Sequence, residues 1–223
     1  MSMDVPLRDG LVFCIHGQRA IFLDVRSSRY FALPDEANKA FIAIASGETP
    51  SAPGARALAA LKLSSVSSAS TAPIDTRSVP RPQTQLQGDA GPVSSTLRRR
   101  AIVAQLRSLV RLSCCSLDQI LHRLGRRRAL LLQSDRARSR GTDLALQVAS
   151  AFLSTRHVRP RSSHCLTSSL AFLDLALQLG LDAELVFGVQ SAPFAAHCWV
   201  QRGTELLNDD LEYVSTFTPI LAA

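Results

Sequence analysis

A thiol, an imidazole and a carboxylate follow one another in an order that suits acyl chemistry: Cys165, His197, Asp209. Cys165 opens the run CLTSSLAFLDLALQLG (165–180), where nearly every residue suits a helix and Gly180 supplies the stop. Free N–H groups and the dipole at a helix start favour a thiolate, so this thiol is expected to titrate below its ordinary value of about 8.5. ELVFGVQ (184–190) reads as a buried strand, SAPF (191–194) as a turn and AAHCWVQ (195–201) as a second strand. After the Arg202-Gly203 turn, ELLND (205–209) reads as a third. Period-2 alternation puts Ala195, His197 and Trp199 on one face and Cys198 and Val200 on the other. Cys198 is therefore turned away from His197 and is a poor nucleophile. Asp209 is expected to end its strand beside the imidazole. A nucleophile at a helix start, a base on a strand and a carboxylate on the next strand satisfy the logic of a catalytic triad. Asp210 is the alternative carboxylate, disfavoured because it lies past the strand end. Asn208 either orients a neighbour or ends the strand. His164 suits helix entry, His157 lies in a basic loop, and His16 and His122 have no partner pattern.

These groups need elements to hold them. LVFCIH (11–16) and AIFLDV (20–25), separated by Gly17-Gln18-Arg19, predict a hairpin. A short third strand, Tyr30 to Leu33, follows. Pro34 begins a helix with Asp35 and Glu36 at its positive end. Ala37, Ala40, Phe41 and Ile44 form its apolar stripe, and Gly47 ends it. APGARALAALKL (52–63) predicts a further short helix. Residues 64–97 are rich in Ser, Thr, Pro, Gln and Gly and read as a flexible linker. Beyond it, Ile102, Val103, Leu106, Leu109 and Val110 predict the inward face of one helix. Ser116 caps LDQILHRL, closed by Gly125. Thr142 caps another helix, with Leu146, Ala149, Phe152 and Leu153 inward. The expected fold class is α+β: an N-terminal unit at 1–63, a linker at 64–97, and a unit at 98–223 with a helical lobe and an antiparallel sheet.

Composition narrows the function classes. Of 223 residues 46% are hydrophobic, enough for a core, yet no run approaches the roughly 18 apolar residues of a membrane span. The start MSMDVPLRDG has no basic region followed by an apolar one, so no secretory signal is expected and a cytoplasmic protein is. Five cysteines without a CxxC pair predict neither a disulfide framework nor a metal site. The net charge is +7, but residues 98–161 hold 15 arginines against three acids, and residues 162–223 one arginine against seven. The basic stretch contains one aromatic, Phe152, so base stacking is poorly supported and nucleic acid is not an expected partner. Solvated helix faces, or a basic lobe pairing with the acidic C-terminal third, account for it better.

HCLTSSLAFLDLALQLG, VFGVQSAPFAAHCWVQ and LLND together resemble the lasso-peptide maturation leader peptidases, the B proteins. The matching elements are Cys165-Leu166, Gly188-Val189, Pro193 through Val200, and Leu207-Asn208-Asp209. The resemblance implies a transglutaminase-like, papain-related cysteine peptidase fold with Cys165, His197 and Asp209 in the catalytic positions. Two departures stand out. Cys198 occupies a position where alanine is usual, and faces away, so it should be tolerated. Arg159 lies where papain relatives keep a glutamine, which leaves the second oxyanion donor unassigned.

The strands ending SSRYFAL before a helix resemble the PqqD-like peptide-recognition domain often fused to these peptidases. That implies capture of a leader peptide as an added strand at the edge formed by Tyr30, Phe31 and Leu33. The expected activity is removal of the leader from a ribosomally made lasso precursor. The expected partners are that precursor and an asparagine-synthetase-like lasso cyclase, with no membrane. The triad requires no cofactor and no P-loop pattern occurs, so an ATP requirement stays open. Two other outcomes fit the same residues: acyl transfer to an amine through the same triad, and a non-catalytic scaffold that binds the precursor.

Overall fold

The computed structural model describes residues 7–63, 79–88, 91–133, 141–155 and 165–223. The fold is α+β, as the sequence predicts. Strands β1 (Leu11–His16), β2 (Arg19–Asp24) and β3 (Arg29–Ala32) form an antiparallel sheet in that order. Helices α1 (Asp35–Ala45) and α2 (Ala52–Ala60) follow. Leu11, Ala20 and Phe22 face the helices, with Phe22 and Phe41 edge to face at 4.9 Å. The alternate residues Val12, Cys14, Ile21 and Leu23 face the other way, into the core of the C-terminal unit. Both faces are thus covered, which is why LVFCI and AIFL read as continuous apolar runs rather than alternating ones. The junction also carries a polar contact: His16 Nδ1 and Thr218 Oγ1 lie 2.7 Å apart.

The expected linker needs correction at its C-terminal end. Residues 64–78, 89 and 90 lie outside the described residues. Residues 84–85, however, form strand β4 (Thr84–Gln85), parallel to β7 (Glu205–Leu206). Pro80 O accepts from Gln201 Nε2 at 2.9 Å, and Leu86 N donates to Leu206 O at 2.8 Å. Polar composition hid a segment that is held through its backbone, which composition does not report. Ser94 then caps the next helix, accepting from Leu97 N.

The C-terminal unit comprises α3 (Ser95–Cys114), α4 (Leu117–Leu132), α5 (Thr142–Leu153), α6 (Cys165–Leu179), β5 (Glu184–Ser191), β6 (Phe194–Arg202), β7, α7 (Leu211–Ser215) and β8 (Thr218–Ala222). Its sheet runs β4-β7-β6-β5-β8. Helix α6 is central, buried at Thr167 and from Ser169 through Leu177, as its apolar sequence requires.

Three helix predictions change. On α3 the inward residues are Ala101, Ala104 and Ser108, whereas Ile102, Val103, Leu106 and Val110 are exposed, up to 62% at Val110. Small side chains let α3 lie close to α6, so packing distance overrode the larger apolar stripe. On α5 the buried face is Ala145, Val148, Ala151 and Phe152, one position off the expected stripe, and Gly141 rather than Thr142 occupies the cap position. Helix α4 runs through Gly125 to Leu132, because good helix formers follow and an interior glycine costs only about 1 kcal/mol.

The basic lobe does meet the acidic third. Buried Asp174 pairs with Arg127 and, at 3.1 Å, with Arg111. Arg128 reaches Asp182 at 2.6 Å and Glu184 at 3.0 Å. Arg111, Arg127 and Arg128, three of the fifteen arginines in residues 98–161, are thus paired internally with acids of the C-terminal third.

Candidate active site

Cys165 stands at the first turn of α6, and α6 lies against β6. One turn on, Ser169 donates its hydroxyl to Cys198 O at 3.1 Å, which fixes the helix start over the strand. The Cys165 thiol lies close enough to the His197 ring and to Cys198 for both to act on its ionisation. Behind the ring, His197 Nε2 and Asp209 Oδ2 are 2.8 Å apart. Nε2 is thereby engaged, which leaves Nδ1 for the thiol. The structure thus brings together the three residues that sequence order had aligned.

Asp209 arrives there by a different route from the one expected. Strand β7 ends at Leu206, so Asp209 belongs to the turn beyond it. The Asn208 side chain takes over from the ladder: Oδ1 accepts from Val200 N at 2.7 Å and Nδ2 donates to Ser169 Oγ at 3.0 Å. Asn208 therefore ties the turn to both β6 and α6, which answers whether it orients a neighbour. Asp210 accepts from Tyr213 N at 3.0 Å and caps α7, so Asp209 is the carboxylate at the imidazole.

Cys198 faces away from His197, as strand alternation requires, and is only 2% exposed. That other face is the one α6 covers, however, so its thiol meets Cys165 rather than an inert core. A bystander in the sequence is a neighbour of the reactive sulfur in the fold. Two ring neighbours were also missed. Tyr213 stands edge-on to His197 at 5.0 Å and Phe217 lies at 5.3 Å. The four-residue spacing in YVSTF was the available signal. Gly188 pairs with His197 across β5 and β6, and a Cβ there would come within 2.6 Å of the Trp199 ring. Only glycine leaves room for that indole.

The remaining candidates divide. Tyr30 packs on Phe194 with ring centroids 5.9 Å apart, at the junction between the two units. Phe31 stacks on Phe22 at 5.2 Å. Leu33 is 5% exposed in the core beneath α1, so its side chain is not available to a surface pocket, and that expectation is corrected. His122 is exposed on α4 and His16 is bonded to Thr218. His157, Arg159 and His164 lie outside the described residues. Among the described residues, no group of three or more His, Cys, Asp or Glu could hold a metal ion. No helix among them is long and apolar enough to cross a membrane.

The electrostatics follow from these contacts. The hydrogen bond from Cys198 pulls the Cys165 thiol down; burial opposes it, and the bond and charge of His197 add to the pull, for a net value of about 4. Burial disfavours a charged His197, yet Asp209 and Cys165 together outweigh it and hold the imidazolium up to about 9. Between these values the pair is thiolate and imidazolium. Elsewhere the balance reverses: burial pushes the Cys14 thiol up to about 12. Iodoacetamide should therefore alkylate Cys165 about ten-fold or more faster than it alkylates glutathione at pH 6, where an ordinary thiol is roughly 0.3% ionised. Peptide mass spectrometry against pH reads it directly. A rate that climbs only above pH 8 would deny the ion pair.

The sequence profile described as the transglutaminase-like superfamily matches residues 108–222, more than half of the chain. The chain belongs to the transglutaminase-like superfamily. The matched region of this transglutaminase-like protein runs from within α3 to β8 and contains Cys165, His197 and Asp209. The N-terminal sheet lies outside it. The chain is also similar to the microcin J25-processing protein McjB of Escherichia coli, 40% identical over 53 residues. That match covers 24% of this chain and 26% of McjB, so it spans about a quarter of the relative's length. No solved structure matches the chain.

Proposed function

We propose that this transglutaminase-like protein is a cysteine peptidase of lasso-peptide maturation, a B-type protein that cuts the leader from a ribosomally made precursor. The observation that carries the reading is the Cys165 thiol held against His197 at the start of α6, with Asp209 on the far side of the ring. The partial likeness to McjB, a protein named for processing a microcin, supports the pathway.

The resting pair is Cys165 thiolate and His197 imidazolium, with Asp209 holding the ring. The thiolate attacks the last carbonyl of the leader, and the sulfur–carbon bond forms as the carbonyl π bond becomes an oxyanion. Backbone N–H groups at Cys165 and the helix start face that charge. His197 Nδ1 gives its proton to the amine as the carbon–nitrogen bond breaks. A water then loses its proton to the same nitrogen, adds to the thioester, and releases the leader acid with the thiolate restored.

In this reading the N-terminal sheet is a PqqD-like leader-recognition unit. Strand β3 pairs with β2 alone among the described residues, so its other edge is open to an added peptide strand. Tyr30 and Phe31 flank that edge. The partners are the precursor leader and a lasso cyclase of asparagine-synthetase type, in the cytoplasm.

The test is to incubate the chain with a lasso precursor peptide, in H2(18)O with a primary amine added, and to identify the leader product by mass. Peptidase action gives a free leader with an (18)O carboxylate. An amine adduct in its place would mean acyl transfer, and an intact bound precursor would mean a scaffold.

A further inference from the structure

Tyr30 is the one β3 side chain that packs towards the reactive thiol. Its phenol is close enough to Cys165 and Cys198 for their charges to act on it, and burial together with those charges raises its pKa. It packs on the same core as Cys165. Its ring rests on Phe194, which is 55% exposed at the start of β6. Along β6, Phe194, Ala196 and Cys198 share one face, because side chains alternate. Cys198 lies under Cys165, and Ala196, small and exposed, comes next. That face therefore offers a floor leading away from the nucleophile, with an aromatic pair at its far end. Phe194 and Cys198 are four residues apart on a strand, about 13 Å. An extended peptide whose carbonyl sits at Cys165 would bring its third or fourth residue to that pair.

We propose that Tyr30 and Phe194 form a substrate subsite, built jointly by the two units, that selects an apolar side chain three or four residues from the scissile carbonyl. The proposal rests on the peptidase reading and adds a specificity element to it. The half-exposed Phe194 ring, backed by the partly buried Tyr30, rewards an apolar side chain by removing its surface from water. The arrangement also makes the N-terminal sheet part of the cutting site, beyond its part in capture.

The probes are tetrapeptidyl acyloxymethyl ketones, alike except that leucine, glycine or aspartate occupies the third or fourth position from the ketone. Labelling is read as the rate at which intact mass shifts, with Cys165 confirmed by peptide mapping. The expected result is a leucine probe about ten-fold faster than its glycine and aspartate counterparts at one of the two positions. In Phe194→Ala that ratio should fall to about two or less. Phe194 is a surface residue, so this variant is free of the folding risk that Tyr30→Ala carries. Tyr30→Phe, which keeps the ring, should retain the preference. Labelling of Cys165 without an apolar preference, or with one that Phe194→Ala leaves intact, overturns the subsite and leaves the peptidase reading standing. No probe reacting at Cys165 faster than iodoacetamide of equal concentration would overturn the peptidase reading itself.

Discussion

Cys165→Ala should abolish precursor cleavage, by about 10^4- to 10^6-fold, while leaving the protein folded and still able to hold the leader. The size follows from what the sulfur does: without it there is no thioester, and His197 and the helix start can act only on water. The structural effect should be small, because Cys165 is partly buried at a helix end and alanine suits that position. Leader binding should persist, since the open β3 edge belongs to the other sheet. Cleavage assayed by mass spectrometry and leader affinity by fluorescence anisotropy check the two halves. A variant that still cuts at more than one-hundredth of the original rate would assign the chemistry to another group, and one that loses leader binding would place capture at the thiol.

Asp209→Asn should reduce kcat by about 10^2- to 10^4-fold and narrow the pH profile. In the unmodified protein activity should rise through about pH 4 as the thiol ionises and fall through about pH 9 as the imidazolium loses its proton. The sign for the variant comes from the charge removed. The carboxylate favours the charged ring, so its loss lowers the His197 pKa towards the ordinary value of about 6.5 and brings the alkaline limb down with it. The acid limb should move less, because the bond from Cys198 to Cys165 remains. Rates from pH 4 to 10 distinguish this from simple misfolding, which would lower the whole curve without moving its limbs. Asp210→Asn is the matched control: Asp210 caps the short helix α7 and does not touch the ring, so its profile should keep both limbs.

Residue types and spacing carried the reactive trio because each member depends on a local rule. A helix start favours a thiolate, strand alternation assigns His197 its face, and a hairpin after β6 turns the following carboxylate back towards the ring. The hairpin of β1 and β2, the central helix α6 and the pairing of β5 with β6 were legible for the same reason: periodicity is set by the chain's own geometry.

What the pattern could not supply was the environment of each face. Cys198 has the same strand position in both descriptions, but only the placement of α6 shows that its thiol meets Cys165. The bulky stripe on α3 predicted an inward face, and the approach of α6 selected the small residues instead. Residues 84–85 look like linker because their sheet pairing uses backbone groups, which side-chain composition does not record.

The amino-acid order by itself determined which groups can react and in what local setting, since helix ends and strand faces arise from bonds between near neighbours. The tertiary structure alone decided that the Asn208 clamp, rather than a longer strand, brings Asp209 to the ring, and that Tyr30 stands near the thiol. Apart from the short-range bond of Asn208 to Val200, those contacts join residues from 39 to more than a hundred positions apart, and such distances are fixed by how whole elements pack rather than by any periodicity along the chain.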